Sequence, residues 1–296
     1  MTSISQPPKI HQASSLIVLN ENFEFLMLKR SPNTKFMPNF WVFPGGKLEA
    51  QDAQTWDLLS SEDQSLFASH IGLTDSKNHW IHLMAGIRET FEEAGLLGTL
   101  EQAKVNQVDW LFQSILKNAQ FSDHWLTPEN YPIRFDTLFF MYFLDEDAPI
   151  QIDQQEIVDG RWWKASDILE AYRRQEIEMG APTIRLLVDL ASFESTLAQE
   201  IKQEIKQEIK QEIKQEIKQE IKQVMLKRQE RTLQRNAVIC PKVYKDQDGT
   251  VLLFNEDQFF HAEDLKVADL MAQGSEIVKD RLVLRGKSLI PEITFK

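Results

Sequence analysis

The sequence predicts a mixed α/β fold of the α+β kind, with a long helix and a small β-rich C-terminal segment. Three observations carry this expectation. Strand-like and helix-like patterns alternate between residues 12 and 190. A helical run opening at Pro182-Thr183 continues into six copies of Glu-Ile-Lys-Gln, from Glu200 to Gln223. Beyond Asn236 the chain turns to short strand-like runs around the turn Lys245–Thr250. The expected division is therefore 12–190, 191–236 and 237–296.

Taken in order, Ser14–Leu19 and Phe25–Leu28 are apolar runs separated by the polar turn Asn20–Asn22, the pattern of a hairpin. A short strand is expected at Trp41–Phe43, and Pro44-Gly45-Gly46 should then stop regular structure. Residues Ile81–Ala94 are patterned as a helix with Gly95 as its stop. Val108–Asn118 forms another helix, and Thr137–Leu144 is a strand too apolar to be solvated on both faces. Glu156–Trp163 is a further strand, with Ser166 or Asp167 capping the helix after it. Later strands are expected at 237–244, 251–254, Arg281–Leu284 and Ile293–Phe295, either as a separate unit or returning to the main sheet.

The repeat favours helix by propensity, but four residues turn through about 400°, so its isoleucine stripe drifts by roughly 40° per copy. It therefore forms no lasting coiled-coil seam, and its i,i+4 neighbours carry like charges. Two readings stay open: a spacer or homodimerisation arm, or a tolerated low-complexity expansion.

A net charge of −12 disfavours a polyanionic partner, so nucleic acid is not expected. No apolar run approaches the ~18–20 residues that span a bilayer, so no membrane partner is expected either. The first residues lack a signal-peptide pattern and the single cysteine, Cys240, forms no internal disulfide. A cytoplasmic location is the expectation. Positive charge is nevertheless local: Lys29, Arg30, Lys35 and Lys47 fall in a stretch without Asp or Glu.

The chemistry concentrates in the helix 81–94. Glu89, Glu92 and Glu93 stand at i, i+3 and i+4, so three carboxylates share one face. Left alone they repel one another. Clustered carboxylates suit hard divalent cations, and magnesium in particular bridges substrate phosphates. Arg88 reaches Glu92 at i+4. His79 and His82 stand at i, i+3 without an evident third ligand and are read as structural.

Around this helix the chain resembles the Nudix hydrolases. Their pattern is Gly, five residues, Glu, seven residues, then Arg-Glu-apolar-any-Glu-Glu-any-Gly-apolar. Here Gly46 leads through five residues to Asp52, and Arg88-Glu89-Thr90-Phe91-Glu92-Glu93-Ala94-Gly95-Leu96 completes it. Asp52 stands where the family has Glu, Thr90 where it has an aliphatic residue, and 35 residues separate Asp52 from Arg88 in place of seven. The resulting insertion is assigned to 53–80. Trp56, Leu58, Leu59, Leu66 and Phe67 suggest that it folds as a helix near the site, as a lid or a pocket wall. A split motif of this kind resembles the subgroup that contains a mammalian peroxisomal coenzyme A diphosphatase. The final Thr-Phe-Lys resembles no peroxisomal address.

The resemblance implies a mixed sheet sandwiched between helices and an Mg²⁺- or Mn²⁺-dependent pyrophosphohydrolase for a small-molecule diphosphate. Glu89, Glu92, Glu93 and the Gly45 carbonyl would hold the metal, and Arg88 would brace the carboxylates. Glu156 is the candidate general base, and Asp52 a structural acid. Arg30, Lys47 and Arg134 are candidate substrate contacts, with Lys29 and Lys35 at the rim. Phe36, Phe40 and Trp41 are candidates to stack on a base, or else core. Coenzyme A or acyl-CoA is the implied substrate. ADP-ribose, NADH and nucleotide sugars are alternatives, as is a Nudix module that binds without catalysis.

Overall fold

The computed structural model describes residues 9–71, 75–97, 108–129, 131–144, 149–201, 215–216, 218–223, 226, 229, 238–246, 249–253, 281–285 and 288–290. The predicted hairpin is β1 (Ile10–Leu19) and β2 (Phe25–Arg30). Asn20 builds its turn, since its Oδ1 accepts the amides of Asn22 and Glu24. β1 runs parallel to β6 (Arg134–Phe143) and antiparallel to β4 (Gly45–Lys47) near its start. The main sheet has the order β5 (Ala119–Leu126), β6, β1, β2, β3 (Phe40–Val42), β8 (Glu178–Met179). β4 joins it at β1, and β7 (Ile157–Trp163) joins at β2.

Strand alternation sends successive side chains to opposite faces. Leu16, Val18, Leu138 and Phe140 pack against α2 (Ser61–Ile71), α3 (Ser76–Ala94) and α4 (Val108–Asn118). Ile17, Leu19, Phe139 and Met141 pack against α5 (Ala165–Arg173) and α6 (Ala181–Ile201). The sheet is mixed and lies between helices, as expected.

Three local expectations are corrected. Gly45 and Gly46 do not interrupt the sheet, because Gly45–Lys47 pairs with Ala13–Ser15. At Gly45 an added Cβ would lie 2.3 Å from the Ser14 carbonyl oxygen, so only glycine allows this close approach. The motif helix begins earlier than expected, at Ser76, where the Asp75 side chain accepts the Asn78 amide. Neither Ser166 nor Asp167 caps α5; Lys164 precedes the helix and gives no side-chain cap.

The 53–80 insertion folds, with α1 (Ala50–Gln54) leading into a short 3₁₀ turn at Trp56–Leu58 and then α2. Trp56, Phe67 and Trp80 meet edge to face, the closest pair at 5.0 Å between ring centroids. The Trp80 indole donates to Thr55 Oγ1 at 2.7 Å. Leu59 and Phe67 are buried as expected, but Leu58 and Leu66 face solvent.

The described helix α6 ends at Ile201, and repeat residues 202–214 lie outside the described residues. The end of the repeat packs against the chain itself. Ile221 is buried among the α5–α6 core, and Lys218 Nζ donates to Asn118 Oδ1 at 2.9 Å. Lys222 Nζ donates to the Lys117 carbonyl at 2.5 Å. β9 (Lys242–Asp246), β10 (Gly249–Leu253), β11 (Arg281–Arg285) and β12 (Ser288–Ile290) form their own antiparallel sheet. The expected strand Ile293–Phe295 lies outside the described residues. No helix among the described residues is long and apolar enough to cross a membrane.

Candidate active site

The carboxylates sit on the last turns of α3, ended by Gly95 in the left-handed conformation (φ 70°). Opposite them, Ile87 and Thr90 are buried. Thr90, the polar residue at an apolar motif position, donates its hydroxyl to the Gly86 carbonyl at 2.7 Å. Its polarity is satisfied within the helix.

Arg88 organises the cluster. Its Nε and Nη2 form a bidentate pair with Asp52 at 2.9 and 3.2 Å, and Nη2 also donates to the Lys47 carbonyl at 2.9 Å. Its Nη1 donates to Glu89 at 3.0 Å and Glu92 at 3.1 Å. Burial works against the Arg88 charge, but Asp52 and Glu89 outweigh it and hold the guanidinium above its usual pKa. Asp52 reaches Arg88 despite its short side chain because α1 carries it inward. There it also accepts the Glu49 amide at 2.7 Å.

Glu93 is placed differently. Its Oε2 accepts the Gly45 amide at 3.1 Å, and no ion-pair partner for it stands among the described residues. Burial pushes its carboxyl up to about 8; the Gly45 amide and Arg30 pull it back, while Glu89 and Glu156 push it further up. Burial also raises Glu89, with Arg88 opposing and Glu92 and Glu156 adding to the rise. Folded Glu93 therefore holds its proton more tightly than an unfolded glutamate, whose ordinary value is 4.5. The sign follows: the contribution to stability is full below that value and is lost as pH rises through about 8. Urea midpoints of the metal-free chain should fall between pH 5 and pH 8.5. Glu93→Gln should flatten that part of the slope, and an unchanged slope in the variant would refute the assignment.

These carboxylates open onto a cavity of about 1330 Å³. Arg30, Lys35, Lys47, Glu89, Glu92, Glu93 and Glu156 line one part of it. Arg30 is oriented by its own Nε, which donates to the Phe36 carbonyl at 3.1 Å. Phe36 and Phe40 reach the wall, but Trp41 does not: it is buried in the core edge-on to Trp163. Arg134 also lies away from the lining, buried with its Nε on the Thr127 carbonyl. Lys29 is a β2 residue outside the lining. No described residue of the 53–80 insertion lines the cavity. A second wall, which no local sequence pattern announces, is formed by Trp125, Leu126, Phe135 and Phe139 of β5 and β6 with Tyr172 and Met179. Non-local strand pairing, together with the packing of α5 on the sheet, brings those residues together.

As they stand, no three described His, Cys, Asp or Glu side chains form a metal-holding group, and Arg88 engages one oxygen each of Glu89 and Glu92. The donor set nevertheless fits a hard divalent cation. Its oxygens are all carboxylate, and Glu93 is buried beside Glu89, where its charged form has only the Gly45 amide and Arg30 in its favour among the described residues, so a cation there would supply the missing compensation. The Gly45 contact seen is through its amide rather than its carbonyl. His79 and His82 each bond a carbonyl four residues back, and burial lowers the pKa of both, as suits structural histidines.

No family model matches the chain. A Caenorhabditis elegans protein named for the nudix hydrolases is 29% identical over 180 residues, covering 54% of this chain and 53% of that protein. The acyl-coenzyme A diphosphatases NUDT19 of Xenopus laevis and Homo sapiens are 26% and 27% identical, covering 58% and 59% of this chain and 60% and 62% of theirs. The chain thus spans between about half and two thirds of the length of these relatives. Among solved structures, a NUDIX hydrolase from Alicyclobacillus acidocaldarius aligns at 24% identity with a TM-score of 0.48, over 62% of this chain and 92% of that one. In its split motif and in the curated proteins it matches, this chain is similar to the Nudix hydrolases.

Proposed function

We propose that the chain is an Mg²⁺- or Mn²⁺-dependent pyrophosphohydrolase that cleaves the diphosphate of coenzyme A or an acyl-CoA. One observation carries the reading: Glu89 and Glu92, braced by Arg88, and Glu93, held by the Gly45 amide, face the same cavity as Arg30, Lys35 and Lys47. Acidic groups that hold a cation and basic groups that hold phosphates thereby share one space. The names of the NUDT19 relatives support the choice of substrate. Asp52 keeps its pair with Arg88 and the described residues of the insertion stay clear of the cavity, so neither departure from the family pattern favours a module that only binds. A cytoplasmic location belongs to the same reading.

In this scheme Arg30, Lys35 and Lys47 hold the phosphate oxygens. Glu156 takes a proton from the attacking water as its oxygen bonds to phosphorus. The anhydride P–O bond breaks, and the leaving phosphate oxygen takes the electron pair. A divalent cation held by Glu89, Glu92 and Glu93 would supply Lewis-acid polarisation of the phosphoryl oxygens. Arg88 keeps Glu89 and Glu92 in register without touching substrate.

The test is to incubate the purified chain with Mg²⁺ and coenzyme A, an acyl-CoA, NADH, ADP-ribose or a nucleotide sugar. Coenzyme A or its thioester should be cleaved with the highest kcat/KM. A clear preference for another diphosphate would overturn the substrate, and absence of turnover on all of them would overturn the reaction class.

Gly46→Ala probes the same geometry. An added Cβ would lie 2.2 Å from Glu89 Oε1, so the Glu89 carboxylate must move. Only the end of a side chain is displaced, so the unfolding midpoint should hardly change. A displacement of this order costs as much as about 10²-fold in kcat. Wild-type kcat in this variant would show that Glu89 is not needed where it stands.

A further inference from the structure

Within the proposed scheme, the weak point is Glu156. Its side chain is exposed, and it lies outside any helix or strand in the segment that leads into β7. A general base must sit within about 2.6–3.2 Å of the proton it takes, and a free loop glutamate does not stay there. The backbone around it, however, is fixed from two sides. Asp153 Oδ2 accepts the Glu156 amide at 3.0 Å, while its Oδ1 accepts the amides of Gln155 at 3.2 Å and Ile157 at 2.9 Å. On the other side, the Glu156 carbonyl accepts the Ser31 amide at 2.7 Å, next to Arg30. Gln154 takes a left-handed conformation (φ 59°), which non-glycine residues adopt only where their surroundings require it. The residue so presented lines the same cavity as Glu89 and Glu93.

We propose that Asp153 is a positioning residue for Glu156: its carboxylate gathers three successive amides and sets the loop so that Glu156 faces Glu89 and Glu93 across the cavity. The inference rests on the diphosphatase reading and on Glu156 as the base. Asp153 makes no bond to the motif helix among the described contacts. It acts on the reaction only through the loop that it closes.

The test combines Asp153→Asn, Asp153→Ala and Glu156→Gln with the double variant Asp153→Ala/Glu156→Gln, using the diphosphate that the unmodified chain cleaves fastest. Asn at 153 keeps a carbonyl oxygen for Gln155 and Ile157 but has no second acceptor for Glu156. It should lower kcat roughly five- to tenfold and leave KM within about twofold, because the phosphate-holding cations are untouched. Ala at 153 should lower kcat as far as Glu156→Gln does, and the double variant should be no slower than either single one. Unfolding midpoints of each variant separate a folding defect from a kinetic one, and Asp153→Asn keeps the test available if the alanine variant is too unstable. Multiplying losses in the double variant, or equal changes in kcat and KM, would overturn the role of Asp153 while leaving Glu156 in place. A Glu156→Gln variant with wild-type kcat would overturn both residues. Failure of the unmodified chain to cleave any diphosphate would remove the reading on which both depend.

Discussion

Glu93→Gln should lower kcat for the preferred diphosphate by about 10³-fold, since cation-mediated stabilisation amounts to several kcal/mol and each factor of ten takes about 1.36 kcal/mol. The substitution suits the question because the fold has little reason to change. Gln keeps an oxygen for the Gly45 amide and fills the same volume in a buried position. It also resembles the protonated acid that burial favours in the metal-free chain. Stability at pH 8 should therefore be unchanged or higher even as catalysis collapses. Steady-state kinetics over a range of Mg²⁺ concentrations, paired with urea unfolding, would check this. A loss below tenfold at saturating Mg²⁺ would remove Glu93 from the machinery.

Arg88→Ala should act on stability first. The Arg88 and Asp52 side chains are 8% and 3% exposed, and removing one partner of a buried pair costs about 3–5 kcal/mol. The cost arises from Asp52, left charged in a dry setting, and from Glu89, which Arg88 holds down against its burial. Adding Asp52→Asn to Arg88→Ala should recover part of the loss, because the second variant removes the stranded charge. Urea unfolding of the single and double variants measures both effects. A loss under about 1 kcal/mol in Arg88→Ala would mean that water reaches the pair more freely than its burial indicates.

Much of the site was legible in the sequence because the chemistry lies within one helix. Residues at i, i+3 and i+4 meet by helical geometry alone, and Gly95 marks the end of α3 as expected. The hairpin and the strands β6 and β7 were legible from their apolar runs. What could not be read depends on partners distant in sequence. Arg134 looked like a free cation near the motif, yet pairing of β5 with β6 turns it to the Thr127 carbonyl. Trp41 looked equally able to serve ligand or core, and the packing of Trp163 on it decides for core. Pro44-Gly45-Gly46 looked like a break because the sequence does not show that β1 passes close enough to pair with it. The Asp153 clamp does have a local signal, since an aspartate three residues before the base candidate is a recognisable turn former.

The Asp52–Arg88 pair carries a consequence for how such a motif tolerates interruption. Closing a flexible loop grows costlier only with the logarithm of its length. Extending the connection from the family's seven residues to 35 therefore costs about 1.4 kcal/mol of closure entropy. Burial of a single large side chain returns about 1.5–3 kcal/mol, and the insertion buries Trp56, Phe67 and Trp80 together. The segment thus offsets its own closure, and the guanidinium–carboxylate clasp fixes the register at its two ends. Distance along the chain ceases to be a constraint there, and a further doubling in length would cost only about 0.6 kcal/mol. Homologous sequences with insertions of quite different length at this point should keep the same carboxylate geometry, provided both halves of the clasp are retained.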